Sequence, residues 1–121
     1  MNIQTINQNE QTIAVVKANE MLITDAQSAL DLMATVRYET GSDCIALYKE
    51  NITEAFFVLS TGLAGEILQK FVNYSAKLAI IGDFTGYTSK PLHDFMYESN
   101  RGNSVFFVRT MEDAIQKLSK E

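Results

Sequence analysis

The sequence predicts an α/β fold: a mostly parallel five-stranded sheet with an antiparallel N-terminal edge strand and four helices. Three observations predict it. Short apolar runs alternate with amphipathic stretches of helical period, the order that right-handed crossovers turn into a parallel sheet. The apolar runs are near-continuous rather than alternating, so both faces of the sheet are expected to be covered. Ahead of them, two short runs flank Asn7-Gln8-Asn9-Glu10, which reads as a hairpin turn.

The elements follow in order. Ile3 and Thr5 lead into that turn, and Thr12-Ile13-Ala14-Val15-Val16 pairs back. A polar connector, Lys17 to Glu20, precedes Thr24-Asp25-Ala26-Gln27. That run is a capping-box signal, with the Thr24 hydroxyl taking a free N–H and Gln27 reaching back. Ala26, Ala29, Leu30, Met33 and Val36 then recur at helical spacing, and Gly41 supplies a left-handed stop. Cys44 to Tyr48 is a buried strand. Phe56-Phe57-Val58-Leu59 fits either a short strand or a helical turn. Leu63, Ala64, Ile67, Leu68, Phe71 and Val72 form one apolar stripe, capped by Ser60 or Thr61. Gly62 and Gly65 are expected to let the first turn of that helix approach the sheet closely. Leu78 to Ile81 is the next buried strand. Ser89 caps a helix with Pro91 in its first turn, burying Leu92, Phe95 and Met96 and stopping at Gly102. Val105 to Val108 is the last strand. Thr110 caps a final helix with the stripe Met111, Ala114, Ile115 and Leu118.

Ala14, Ala46 and Ala79 fall at alternate positions of three strands and suggest a small-residue band on one face. If every helix lay on one face, the other would be apolar and open, and a homodimer would be one way to cover it.

The chain has 121 residues, 46% of them apolar and 21% charged, which fits a single domain over residues 1–121. Its net charge of -5 and pI of about 4.8 argue against nucleic acid and against an anionic membrane surface. No apolar run reaches membrane-spanning length and the first ten residues lack a signal-peptide core, so the expected location is cytoplasmic. Cys44 is the one cysteine and His93 the one histidine. A lone Cys inside an apolar run reads as a small buried hydrophobe. No structural zinc site or other metal cluster can be assembled from that inventory. No acid, base and nucleophile converge by spacing, so no catalytic residues and no cofactors are assigned.

In an open parallel sheet, ligands bind outside the carboxyl ends of the strands. Four segments are expected on that rim: Lys17 to Thr24, Lys49 to Thr61, Asp83 to Lys90, and Arg109-Thr110. Helix N-termini face the same way and favour anions. Ser60, Thr61 and Gly62 are a candidate phospho-switch or anion site; their plainer role is helix capping. Asp83, Tyr87 and Lys90 are a candidate ligand rim; the plainer role of Asp83 is a turn acid that accepts from the N–H groups of Thr85 and Gly86. The Glu98-Ser99-Asn100-Arg101 run sits at a helix end, where Arg101 suits the negative pole.

The element order resembles the sulfate-transporter/anti-sigma-antagonist (STAS) domain, a hairpin followed by stacked strand–helix units. Leu59-Ser60-Thr61-Gly62-Leu63 is similar to the Asp-Ser-Ser/Thr-Gly-Leu run that opens the second helix of bacterial anti-sigma-factor antagonists. That resemblance implies Ser60 as the phosphorylated serine. Leu59 stands here where that family has Asp, and the connection before the motif is longer. A longer likeness is carried by Phe56 to Phe71, Asn73-Tyr74, Lys77 to Phe84 and Glu98-Ser99-Asn100. These runs resemble a bacterial family known as domain of unknown function 4180, which implies no activity. The functional expectation is therefore a non-catalytic STAS-like regulatory or protein-interaction module with a protein partner. The alternative is a small-ligand or nucleotide-binding domain that uses the same rim.

Overall fold

Asn9 (φ 52°) and Glu10 (φ 66°) both sit in the left-handed region and turn the chain between β1 (Asn2–Gln8) and β2 (Gln11–Lys17). Two successive positive φ values give a two-residue turn whose twist matches the strands it joins. The structure, a computed structural model, describes residues 1–120. The hairpin is followed by α1 (Ala26–Thr40), β3 (Cys44–Tyr48), α2 (Leu63–Asn73), β4 (Lys77–Ile81), α3 (Lys90–Arg101), β5 (Val105–Val108) and α4 (Met111–Leu118). The described residues thus form a mixed α/β architecture with four helices. Its sheet runs β1-β2-β3-β4-β5, with β1 antiparallel to β2 and the remaining pairs parallel. This is the fold class that the apolar periodicity predicts.

Local chemistry sets the helix ends. The N-cap of α1 is Asp25, not Thr24: its carboxylate accepts from Ser28 N at 2.7 Å, and Ser28 Oγ accepts from Asp25 N at 3.0 Å. Starting the helix at Ala26 puts Ser28, rather than Gln27, at the third position where the reciprocal bond forms. Gln27 instead donates to Asp31. Gly41 (φ 75°) ends α1 as expected. Phe56 to Leu59 is not a strand; the chain between β3 and α2 makes three short 3-10 turns, Lys49–Asn51, Glu54–Phe57 and Leu59–Thr61. Ser89 and Thr110 cap α3 and α4.

The two sheet faces are closed differently. On one, Ala14, Val16, Ile45, Leu47, Leu78, Ile80, Val105 and Phe107 pack under α1, α2 and α3. On the other, Ile13, Val15, Cys44, Ala46, Ala79, Ile81, Phe106 and Val108 pack under Ala114 and Leu118 of α4. A helix that links two parallel strands is held to one side by the right-handed crossover. Helix α4 follows the last strand of the described sheet and is free of that constraint. It swings across through Arg109-Thr110 and buries the face that would otherwise be open. The helices therefore do not all lie on one side.

Register also divides the alanine band. Ala46 pairs with Ala79, but Ala14 pairs with Ile45 and points to the opposite face. Gly65 is exposed, and for neither it nor Gly62 does any atom beyond its own stretch of chain lie within 4 Å of where a β-carbon would stand. The expected close approach to the sheet is absent, and the requirement at Gly62 is its φ of 78°.

The β5 edge is blocked by a side chain. Phe107 N donates to Asn100 Oδ1 at 2.7 Å, and Asn100 Nδ2 donates to Phe107 O at 3.2 Å. One amide thus takes the place of a neighbouring strand. Arg101, beside it, stacks over the Tyr97 ring.

Candidate functional site

The parallel order brings the carboxyl ends of β2 to β5 to one rim, as the sequence leads one to expect. The loop after β2 is fastened down rather than open. Asn51, 4% exposed, donates through Nδ2 to Ala18 O at 2.9 Å and Glu20 O at 2.8 Å. Its own carbonyl accepts from Leu22 N and Ile23 N. Thr53 N then donates to Ile23 O, and Ile23 and Ile52 bridge in parallel. A buried Asn whose side-chain amide donates twice and whose backbone carbonyl accepts twice holds two loops as one body.

The centre of the rim is built around Gly82. Lys49 leaves the end of β3 and lies across it: a β-carbon at Gly82 would stand 2.8 Å from Lys49 Cβ. The Lys49 ammonium continues over the Tyr87 ring, 5.0 Å from its centroid. Tyr87 stacks on Phe57 at 5.2 Å and neighbours Phe84, which meets Phe107 edge-on at 5.6 Å. The Tyr87 hydroxyl donates to the Glu54 carboxylate, 2.5 and 3.0 Å from its two oxygens. His93 Nε2 lies 2.5 Å from Tyr87 O. The nitrogen must carry a proton to bond there, because a carbonyl oxygen only accepts. The segment 83–89 is thereby pinned at both its ring and its backbone.

The titrating groups follow from these contacts. Burial, then the bond and charge of Glu54, push the Tyr87 phenol well above its ordinary value of 10. It therefore stays a proton donor at neutral pH. Asp83 Oδ1 accepts from Thr85 N at 2.9 Å and Thr85 Oγ1 at 2.7 Å. These bonds, first the backbone one, hold the Asp83 carboxyl below its usual range, with help from Arg109 and Lys49. The ends of β3, β4 and β5 thus carry a cation, an anion and a cation in order. The Cys44 thiol is pushed up by burial and faces α4, while His93 sits on α3 across the sheet. The two do not meet.

The residues expected at the rim are placed as follows. Asp83 makes the turn bond to Thr85. Tyr87 binds Glu54, a partner that no local pattern announces. Lys90 pairs with Asp94 at 2.8 Å, both well exposed on α3. These three side chains share the rim but bond to different partners. Ser60 is exposed. Capping falls to Thr61, whose Oγ1 accepts from Leu63 N at 3.2 Å and donates to Val58 O and Ala55 O. Gly62 is the N-cap residue itself and brings no side chain.

Ser60 opens onto a groove of about 510 Å³ lined by Phe57, Val58, Leu59, Ser60, Ser89 and Pro91. Val58, 50% exposed, forms its lip. Signals for this groove were present in sequence only as the apolar run Phe56 to Leu59. A cationic depression on the opposite end, with Lys77, Arg101, Lys117 and Lys120, has a structural account. Lys77 Nζ donates to Lys120 O and Lys117 Nζ to Asn100 O, so each serves a backbone carbonyl near a helix end. Among the described residues no group of acidic, His and Cys side chains is placed to hold a metal ion, and no helix is long and apolar enough to cross a membrane.

No curated protein and no solved structure matches the chain. One family model does, over residues 8–118, from the last residue of β1 to the last of α4. With that match spanning nearly all of the fold described above, the chain belongs to the family described as domain of unknown function DUF4180.

Proposed function

We propose that the chain is a non-catalytic regulatory or protein-interaction module, one α/β domain that receives a partner in the groove beside Ser60. The observation that carries this reading is the groove itself: about 510 Å³, walled by Phe57, Leu59 and Pro91, lipped by exposed Val58, with two hydroxyls on its margin. Apolar walls with a few polar groups are what a bound side chain or ligand needs. Its floor is stiff, because Phe57 is packed between Phe56, Phe84 and Tyr87. A phosphate on exposed Ser60 would add charge at the groove margin, close to the start of α2, and so switch the surface. The hairpin followed by a sequential sheet supports the STAS likeness, and the Leu59-Ser60-Thr61-Gly62-Leu63 run at the start of α2 is the basis for reading Ser60 as the switch residue. At the rim Asp83 is engaged with Thr85, Glu54 with the Tyr87 hydroxyl and Lys90 with Asp94, which favours binding over chemistry.

The test is capture of a partner from native lysate, identification, and titration of the purified pair. Val58→Glu and Ser60→Glu are expected to weaken binding at least tenfold, and Ser60→Ala to leave it unchanged. Equal affinity for all four proteins would rule the groove out. The second reading, a small anionic ligand, is favoured by the cation–anion–cation sequence of Lys49, Asp83 and Arg109 beside the Phe84 and Tyr87 rings. It predicts a saturable thermal shift with a nucleotide or related metabolite that is lost in Lys49→Ala.

A further inference from the structure

The two edges of the sheet are built oppositely. At β5 the outward N–H and C=O of Phe107 are taken by the Asn100 amide, and the strand has only four residues. The seven residues of β1, Asn-Ile-Gln-Thr-Ile-Asn-Gln, carry no charge and no proline, the usual devices that blunt an edge. Their pairing with β2 is uninterrupted from Asn2↔Lys17 to Gln8↔Gln11, so no bulge turns the edge away.

The register says which groups are free. The two-residue turn closes on Gln8 and Gln11, so this pair exchanges backbone bonds across the hairpin. Bonded and non-bonded pairs alternate along an antiparallel ladder. Asn2, Gln4, Ile6 and Gln8 therefore bond inward, and the N–H and C=O of Ile3, Thr5 and Asn7 point away from the sheet. That pattern is self-complementary. With Thr5 on a two-fold axis, Thr5 meets Thr5 of a second copy and Ile3 meets Asn7, which satisfies all six outward groups. The same antiparallel alignment brings the Glu10 turn of one copy to the sheet end where the other carries exposed Lys17, so that end of the paired sheet holds charges of both signs.

We infer that β1 is a homodimerisation edge, at which two copies pair antiparallel about Thr5 to give one continuous ten-stranded sheet. Such a pair is closed, because it consumes both open edges and leaves the two Asn100-blocked ones outside. It is independent of the groove at Ser60 and of the face covered by α4.

Sedimentation equilibrium over a wide concentration range tests this. The wild type is expected to rise from 13.5 kDa towards twice that mass. Thr5→Pro removes an N–H that the hairpin does not use, and Thr5→Lys puts like charges face to face at the axis. Both are expected to remain at the monomer mass. If Thr5→Pro fails to fold, as judged by circular dichroism, Thr5→Lys decides. Thr5→Cys is expected to give a disulfide-linked dimer under mild oxidation, and Gln8→Cys, off the axis, is not. A wild type that is monomeric throughout, a dimer that survives Thr5→Lys, or assemblies that grow beyond two copies would each overturn the inference.

Discussion

The stem of Lys49 lies across the α-carbon of Gly82, so close that a β-carbon there would meet Lys49 Cβ at 2.8 Å and Cδ at 3.0 Å. Among the glycines, this is the one where added bulk would have nowhere to go. Gly82→Ala is expected to destabilise the fold by about 1–3 kcal/mol, the usual cost of overpacking. Since the nearest atom is a β-carbon fixed to the backbone, Lys49→Ala should not rescue it. Urea unfolding of both single variants and the double variant checks this.

Tyr87 gives an alkaline signature. Its pKa is raised in the fold, so the folded state holds the phenolic proton longer than the unfolded chain does. Its contribution is whole below pH 10, the ordinary tyrosine value, and is lost as pH rises beyond it. Tyr87→Phe should lose about 0.5–1.5 kcal/mol at neutral pH with the Glu54 bond. Its stability should then fall less steeply than the wild type above pH 10, measured as the urea midpoint against pH.

Asp83 acts at the other end of the scale. Its folded pKa lies below 3.8, so the unfolded chain takes up the proton first. The stabilisation is present above that value and is lost as pH falls through the folded pKa. Asp83→Asn keeps an oxygen for Thr85 but does not titrate. Acid unfolding followed by circular dichroism should show a shallower slope below pH 3.8 in the variant.

Asn100→Ala strips the β5 edge. It leaves the N–H and C=O of Phe107, a residue only 7% exposed, without their side-chain partner. The expected cost is about 1–3 kcal/mol. Light scattering should also show concentration-dependent association beyond that of the wild type, because a second edge is now open.

The small residues under α4 set how closely it sits. Ala46 and Ala79, both fully buried, share a cluster with Ala114. Ala79→Leu should lift α4 from the sheet, cost about 1–3 kcal/mol and increase binding of a hydrophobic dye, while Ala14→Leu should strain the opposite face instead.

Much of this fold could be read along the chain. The strands at Cys44, Leu78 and Val105, the stop at Gly41 and the caps at Ser89 and Thr110 all lie where sequence places them, because each depends on residues within one turn of itself. Two departures are local in origin as well. Thr24 and Asp25 are both good caps, and a one-residue shift of helix start decided between them. Gly65 matched a close-packing pattern but faces solvent, since the side of α2 that meets the sheet is set by Ala64, Ile67 and Phe71.

What the sequence by itself determined is the order of the five strands and four helices, the parallel sheet and the rim to which its strand ends lead. The tertiary structure alone decided which face α4 would take, that Ala14 would part from Ala46 and Ala79, and that Tyr87 would meet Glu54 and Asn100 meet Phe107. The reason is physical. Periodicity and capping are satisfied within a few residues, whereas register, facing and long-range hydrogen bonds exist only once separate segments have been brought together.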